Sequence, residues 1–151
     1  KKAYLLVKFL ERRGLFKPVD PENLEVPVDN RLARIAIRTG LVRLYGVLRE
    51  RVVKWEEVSW EEDIVIRLAV RRAFKEVSRL AGIKPTILDD LLWLIGAYWC
   101  KWERPLCDKG AYVEELKASY QSCPLRPSCA YASSPKTIPL REHRYYDTWY
   151  Y

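Results

Sequence analysis

A chain of 151 residues, 49% of them apolar or aromatic, is long enough to bury a core and too apolar to remain disordered. Its formal charge of +7 favours an anionic partner such as nucleic acid. No apolar run approaches the roughly 18 to 20 residues of a membrane span, and no secretory leader pattern opens the chain, so a soluble, cytoplasmic protein that does not enter the membrane is expected.

The sequence begins at Lys1 and holds no methionine, which suggests a trimmed or partial chain. Glutamine occurs once, asparagine twice and histidine once, against 27 lysines and arginines. That bias resembles the one found in hyperthermophile proteins. Such cells tolerate disulfides in the cytosol, so compartment alone does not decide how the cysteines are used.

In chain order, "AYLLVKFLERR" spaces Ala3, Leu6, Val7 and Leu10 for one helical face, and Gly14 ends it. Pro18, Pro21 and Pro27 exclude a helix through the next segment. Val28, Leu32, Ile35 and Ala36 then share a face behind Asp29, with Gly40 as the stop. A further helix is expected over "LVRLYGVLRERVVKW", with Gly46 the residue in it least suited to a helix. Ser59 and Glu62 form a capping box. The helix they open should turn Ile66, Ala69, Ala73, Val77 and Leu80 inward and stop at Gly82. Thr86 and Asp89 repeat the capping logic for a last helix, whose stripe is Leu88, Leu91, Leu92, Ile95 and Trp99. Nothing in the first hundred residues alternates long enough to make a strand. The expected architecture is an all-α bundle over residues 1–99, a loop-rich four-cysteine segment over 100–129 and an aromatic tail over 130–151.

Cys100, Cys107, Cys123 and Cys129 are the only cysteines, in the pattern C-x6-C-x15-C-x5-C. Soft thiolates gathered at a helix end suit a tetrahedral zinc or a four-iron cluster. Two disulfides, or four buried thiols serving as small hydrophobes, are the competing readings. The wide intervals within each pair differ from the C-x2-C knuckle of structural zinc.

"LLWLIGAYWCKWERPLC" followed by "CPLRPSC" resembles the iron-sulfur cluster loop of endonuclease III-type DNA glycosylases, in the helix-hairpin-helix glycosylase superfamily. The resemblance implies a [4Fe-4S] cluster held by Cys100, Cys107, Cys123 and Cys129, with structural zinc as the alternative. The departure is "DKGAYVEELKASYQS", fifteen residues where that family usually has two, an insertion over 108–122 that could bulge out as a short helix.

"VPVDNRLARIAIRTGLV" is similar to the segment carrying the catalytic aspartate of these glycosylases, in the form seen in archaeal 8-oxoguanine glycosylases. Asp29 takes the aspartate position. A negative charge there is favoured by the helix dipole, and it would stabilise an oxocarbenium-like sugar as the base departs. Its plainer role is an N-cap, and one side chain can serve both purposes.

The same resemblance, through "KKAYLLVKFL", makes Lys1 or Lys2 the Schiff-base nucleophile of a base-excision glycosylase with AP lyase activity. The helical hairpin that precedes this lysine in the family lies outside the sequence. Arg31, Arg34 and Arg38 behind Asp29, and Lys101 and Arg104 in the first cysteine loop, are the expected phosphate contacts. Arg67, Arg71, Lys75 and Arg79 form a basic stripe better read as a solvated helix face. The partner would be DNA and the protein a monomer. A non-catalytic module binding RNA, DNA or a ribonucleoprotein is the alternative. Tyr145, Tyr146, Trp149, Tyr150 and Tyr151 end the chain and suit either base stacking or packing on the domain itself.

Overall fold

The computed structural model describes residues 1–136, 138 and 141–145. Six helices carry the fold: α1 (Lys2–Arg12), α2 (Asn30–Thr39), α3 (Gly46–Lys54), α4 (Trp60–Ala81), α5 (Pro85–Tyr98) and the short α6 (Ala130–Ser133). Two three-residue strands, β1 (Ala111–Val113) and β2 (Ala118–Tyr120), make one antiparallel hairpin. The expected all-α class holds, with that hairpin added. Among the described residues no helix is long and apolar enough to cross a membrane.

The centre of the molecule is α2, which buries every residue from Leu32 to Arg38. A helix hidden on all sides must be covered by several partners, and α2 packs on α4, α5 and α6. Asp29 caps it by accepting from the Leu32 N–H at 2.9 Å, and Gly40 closes it at φ +81°. A side chain at Gly40 would also press on Ala130 Cβ, which fixes how closely α6 approaches. The main core joins α2 to Val52, Val58, Ile66, Val70, Phe74, Leu88 and Leu92. A second, smaller core of Leu94, Trp99, Val113 and Cys123 attaches the hairpin to α5.

The capping box at Ser59 and Glu62 forms as its sequence requires. Other expectations need correction. In α1, Ala3 and Leu6 face solvent, and the one buried residue is Lys8. The helix is rotated because the Lys8 ammonium reaches two carboxylates on α5, an attraction that apolar periodicity does not register. In α4, Ala69 and Leu80 are exposed, while Asp63, Arg67 and Ser78 are buried beside Ile66, Val70 and Phe74. Buried ion pairing again sets the face. Helix α5 begins at Pro85 with Lys84 as its uncapped N-cap, so Thr86 and Asp89 lie inside it rather than capping it. Leu91 on the predicted stripe is 37% exposed, and Leu94 is buried in its place. The helix expected from Leu41 starts only at Gly46, with Tyr45 as its N-cap. The 108–122 insertion is the hairpin, and the short helix suggested for it is absent from this segment except for one turn of 3-10 helix at Glu114–Leu116.

The C-terminal segment returns across the bundle. Glu57 and Arg144 form a parallel bridge, and Val58 N–H donates to Arg144 O at 2.9 Å. Below it lies a buried polar network. His143 Nε2 sits 2.6 Å from Asp63 Oδ1, Arg67 Nε donates to the same oxygen at 2.8 Å, and Arg34 pairs with Glu142 at 3.0 Å. Of the aromatic tail, Tyr145 packs against the main core; Tyr146, Trp149, Tyr150 and Tyr151 lie outside the described residues.

Candidate active site

The N-terminal end of α2 opens into a cleft of about 650 Å3. It is lined by Lys1, Leu5 and Lys8 of the first helical segment, by Asp29, by Asp89, Asp90 and Trp93 of α5, and by Glu115 and Leu116 of the hairpin turn. Four separate parts of the chain therefore supply one site of the size a nucleobase and sugar need.

Lys1 is the amine of interest. Burial holds its pKa below that of a solvated lysine, the charges of Asp29 and Asp89 pull it back up, and Arg67 lowers it again. A partly desolvated amine with a reduced pKa is a better nucleophile at neutral pH. Lys2 is exposed and does not line the cleft. Of the two sequence candidates, the fold brings only Lys1 to Asp29.

Lys8 lies behind Lys1, 4% exposed, and bridges Asp89 and Asp90; Arg12 holds the other oxygen of Asp90. Burial pushes the Asp89 carboxyl above its ordinary range despite the pull of Lys8. Asp90 is more exposed, and there the hydrogen bonds from Arg12 and Lys8 overcome desolvation and hold its carboxyl below the usual range. These pairs fix α1 to α5 and so set the position of Lys1.

Trp93 presents 48% of its surface at the cleft. Arg31 lies over its ring, 4.6 Å from guanidinium to centroid. The Arg31 stem crosses α5 at Gly96, where any side chain would overlap its Cγ and Cδ. Arg31 does not line the cleft itself but supports Trp93, which does. Arg34 and Arg38, also expected to touch phosphate, are turned inward. Arg34 is spent on Glu142 and on Cys100 O at 3.0 Å. Arg38 donates to Cys100 Sγ at 3.1 Å, Lys101 O at 2.7 Å and Trp102 O at 3.1 Å. Sequence periodicity shows an arginine every three or four residues but not whether the helix is central. Lys101 and Arg104 do stand exposed on the cysteine loop. The basic stripe is not the solvated face expected: Arg67 is buried against Asp63, Arg71 and Lys75 are half-buried and pair with Glu25, and only Arg79, paired with Glu76, is exposed.

The four cysteines line one small void of about 20 Å3 at the other end of α2, together with Arg38, Trp99 and Tyr131. All four are free thiols, so the disulfide reading does not hold here. Burial first, and then neighbouring cysteines, push the Cys107 thiol up and the Cys123 thiol to about 11. Crowded thiols of this kind keep their protons until a cation displaces them. The donor chemistry fits a thiophilic metal group. Even so, no set of three or more Cys, His, Asp or Glu among the described residues is placed to hold a metal ion in this arrangement.

Lys1, the helix-capping carboxylate of Asp29 and the half-exposed Trp93 thus meet in one cleft of a helical scaffold. The AGOG family model, described as N-glycosylase/DNA lyase, matches residues 5–122. The chain belongs to this family of helix-hairpin-helix glycosylases, which remove damaged bases from DNA in base-excision repair. The match includes Asp29, Lys8, Asp89 and Trp93, begins after Lys1 and ends before Cys123. No curated protein and no solved structure shows a significant match.

Sequence reasoning missed Lys8, Asp89, Asp90, Trp93 and the hairpin turn as parts of the site. A lysine in the middle of an apolar stripe and adjacent aspartates inside an apolar helix were the available signals.

Proposed function

We propose that Lys1 and Asp29 carry out the glycosylase and lyase chemistry of this chain. The Lys1 Nζ lone pair attacks C1′ of the damaged nucleotide and the N-glycosidic bond breaks. The base leaves with the bonding electrons and takes up a proton. The sugar ring then opens to an iminium joined to Lys1. Loss of a C2′ proton expels the 3′ phosphate and cuts the strand. The Asp29 carboxylate stabilises the positive charge that grows on the sugar as the base departs. Trp93, held by Arg31, supplies an apolar face for a base swung out of the duplex. Lys101 and Arg104 are the phosphate contacts of this reading. The observation that supports it above all is the meeting of Lys1, Asp29 and Trp93 in a single cleft. Asp29→Asn should reduce excision from an oxidised-base duplex by at least about a hundredfold, the usual scale of a lost electrostatic stabiliser. Full activity in that variant would remove Asp29 from the mechanism.

We also propose that Cys100, Cys107, Cys123 and Cys129 hold a [4Fe-4S] cluster of the endonuclease III kind. When bound, the cluster braces the cysteine loop against α2 and takes no part in bond cleavage. Support comes from four soft donors around one void, the absence of disulfides among them, and an Arg38 N–H aimed at Cys100 Sγ. Anaerobic purification should give a brown protein with about four irons per chain. A colourless protein with one zinc would replace the cluster by the structural-zinc alternative.

A further inference from the structure

The insertion between the second and third cysteines reaches the catalytic cleft. Its base is closed by the Cys123 N–H donating to Cys107 O at 3.0 Å. Its strands pair in the register Ala111 with Tyr120 and Val113 with Ala118. Val113, 1% exposed, anchors it in the second core. Trp99 fixes it twice, with its Nε1–H donating to Lys109 O at 2.8 Å and its ring edge-on to Tyr120 at 5.7 Å. At the tip, Tyr98 Oη donates to Glu115 Oε2 at 2.9 Å and lies 3.3 Å from the Glu114 N–H.

So held, the turn places Glu115 and Leu116 in the wall of the cleft that contains Lys1 and Asp29. Leu116 also lines an apolar cavity of about 490 Å3, and with Leu94 it is shared between the two spaces. A loop needed only to join Cys107 to Cys123 would not have to reach this cleft. Nor does a carboxylate suit a surface that receives phosphates, which it would repel. The partner that matches an acceptor-only group beside an apolar side chain is the N–H-bearing edge of a nucleobase.

We propose that the hairpin tip is a base-discriminating wall of the active site: Leu116 contacts the extruded base, and Glu115 accepts a hydrogen bond from its exocyclic amino group. This rests on the reading of the cleft as the glycosylase and lyase site. The hairpin therefore acts in substrate choice, and the covalent step remains with Lys1.

The test uses the whole chain, single-turnover conditions and three duplexes. One carries 8-oxoguanine, one the analogue lacking its 2-amino group, and one an abasic site, where there is no base to recognise. The wild type should prefer the amino-bearing base by about tenfold or more, the scale of a hydrogen bond to a charged acceptor. In Glu115→Ala that preference should shrink to near parity. In both Glu115→Ala and Leu116→Ala, excision of 8-oxoguanine should fall about tenfold further than abasic-site cleavage does. Equal losses on all three duplexes would mean a structural role and overturn the proposal. So would an unchanged preference in Glu115→Ala, or a wild type indifferent to the amino group. A wild type inactive on every duplex would overturn the Lys1 and Asp29 reading as well, so the two failures are distinct.

Discussion

Replacing Lys8 by methionine should be among the most damaging single changes in the molecule, although the new side chain is apolar and of similar length. Lys8 is 4% exposed and its ammonium bridges Asp89 and Asp90. Asp90 is 41% exposed at its side chain and retains Arg12, so it loses little. Asp89 is 9% exposed at its side chain, and its remaining charge would be buried with no ion-paired cation, only the weaker influence of Lys1 across the cleft. Breaking a buried pair by removing one partner costs about 3 to 5 kcal/mol, a large part of the roughly 5 to 15 kcal/mol that stabilises a domain. Asp89 can limit that loss by taking a proton, because burial already raises its pKa and removing Lys8 raises it further. A raised folded-state pKa gives stability that is present below the unfolded value and lost as pH climbs through the folded one. The deficit of Lys8→Met against wild type should therefore be greater at pH 7 than at pH 5. Removing both charges in Lys8→Met with Asp89→Leu should recover much of it at pH 7. Urea unfolding of the wild type, Lys8→Met, Asp89→Leu and the double variant at the two pH values measures the coupling. A deficit under 1 kcal/mol at pH 7, or one larger at pH 5, would refute the reasoning.

Other expectations follow from the same geometry. Burial opposes ionisation of Asp63, but the hydrogen bond from His143 and the charge of Arg67 outweigh it and hold the carboxyl below its usual range. That contribution is complete above the unfolded value of about 4 and is lost as pH falls through the lower folded value. Asp63→Asn should flatten the acid limb of the stability curve, as read by thermal melts between pH 2 and pH 6. Gly96→Ala should leave the melting temperature almost unchanged, because the about 1 kcal/mol a helix gains on that exchange offsets the packing lost when the Arg31 stem is pushed aside. The methyl displaces Arg31 from Trp93, however, so the same variant should raise the KM for damaged duplex, as steady-state kinetics will show. Borohydride trapping on an abasic duplex should speed up with pH and level off below the 10.5 of an ordinary lysine, because burial lowers the Lys1 pKa.

The parts of the fold written in local chemistry were legible in the sequence. Asp29 before an apolar-spaced run and Gly40 after it define α2, and Ser59 with Glu62 defines the start of α4, because caps depend on neighbours a few residues away. The faces of α1 and α4 were not legible. Their orientation is set by Lys8 meeting Asp89 some eighty residues on, and by Asp63 meeting His143, charge contacts that apolar periodicity counts as exposed. The same limit applies to Arg34 and Arg38. Their spacing behind Asp29 suits phosphate binding, but α2 is covered on every side and turns them to Glu142 and the cysteine loop. The insertion hid its hairpin because three-residue strands carry almost no alternation, and only docking on Trp99 and Leu94 defines them. Lys1 and Asp29 were both nominated as site residues. What the sequence lacked was the choice between Lys1 and Lys2, which depends on how α1 lies across α5.

The claim that Lys1 is the nucleophile is tested most directly by reducing the wild-type reaction on an abasic duplex with borohydride and mapping the trapped peptide by mass spectrometry. The account predicts a single DNA adduct on the Nζ of Lys1, formed far more slowly in Asp29→Asn and lost at that atom in Lys1→Gln. An adduct on Lys2 or Lys8, or undiminished trapping on a side-chain amine in Lys1→Gln, would contradict it.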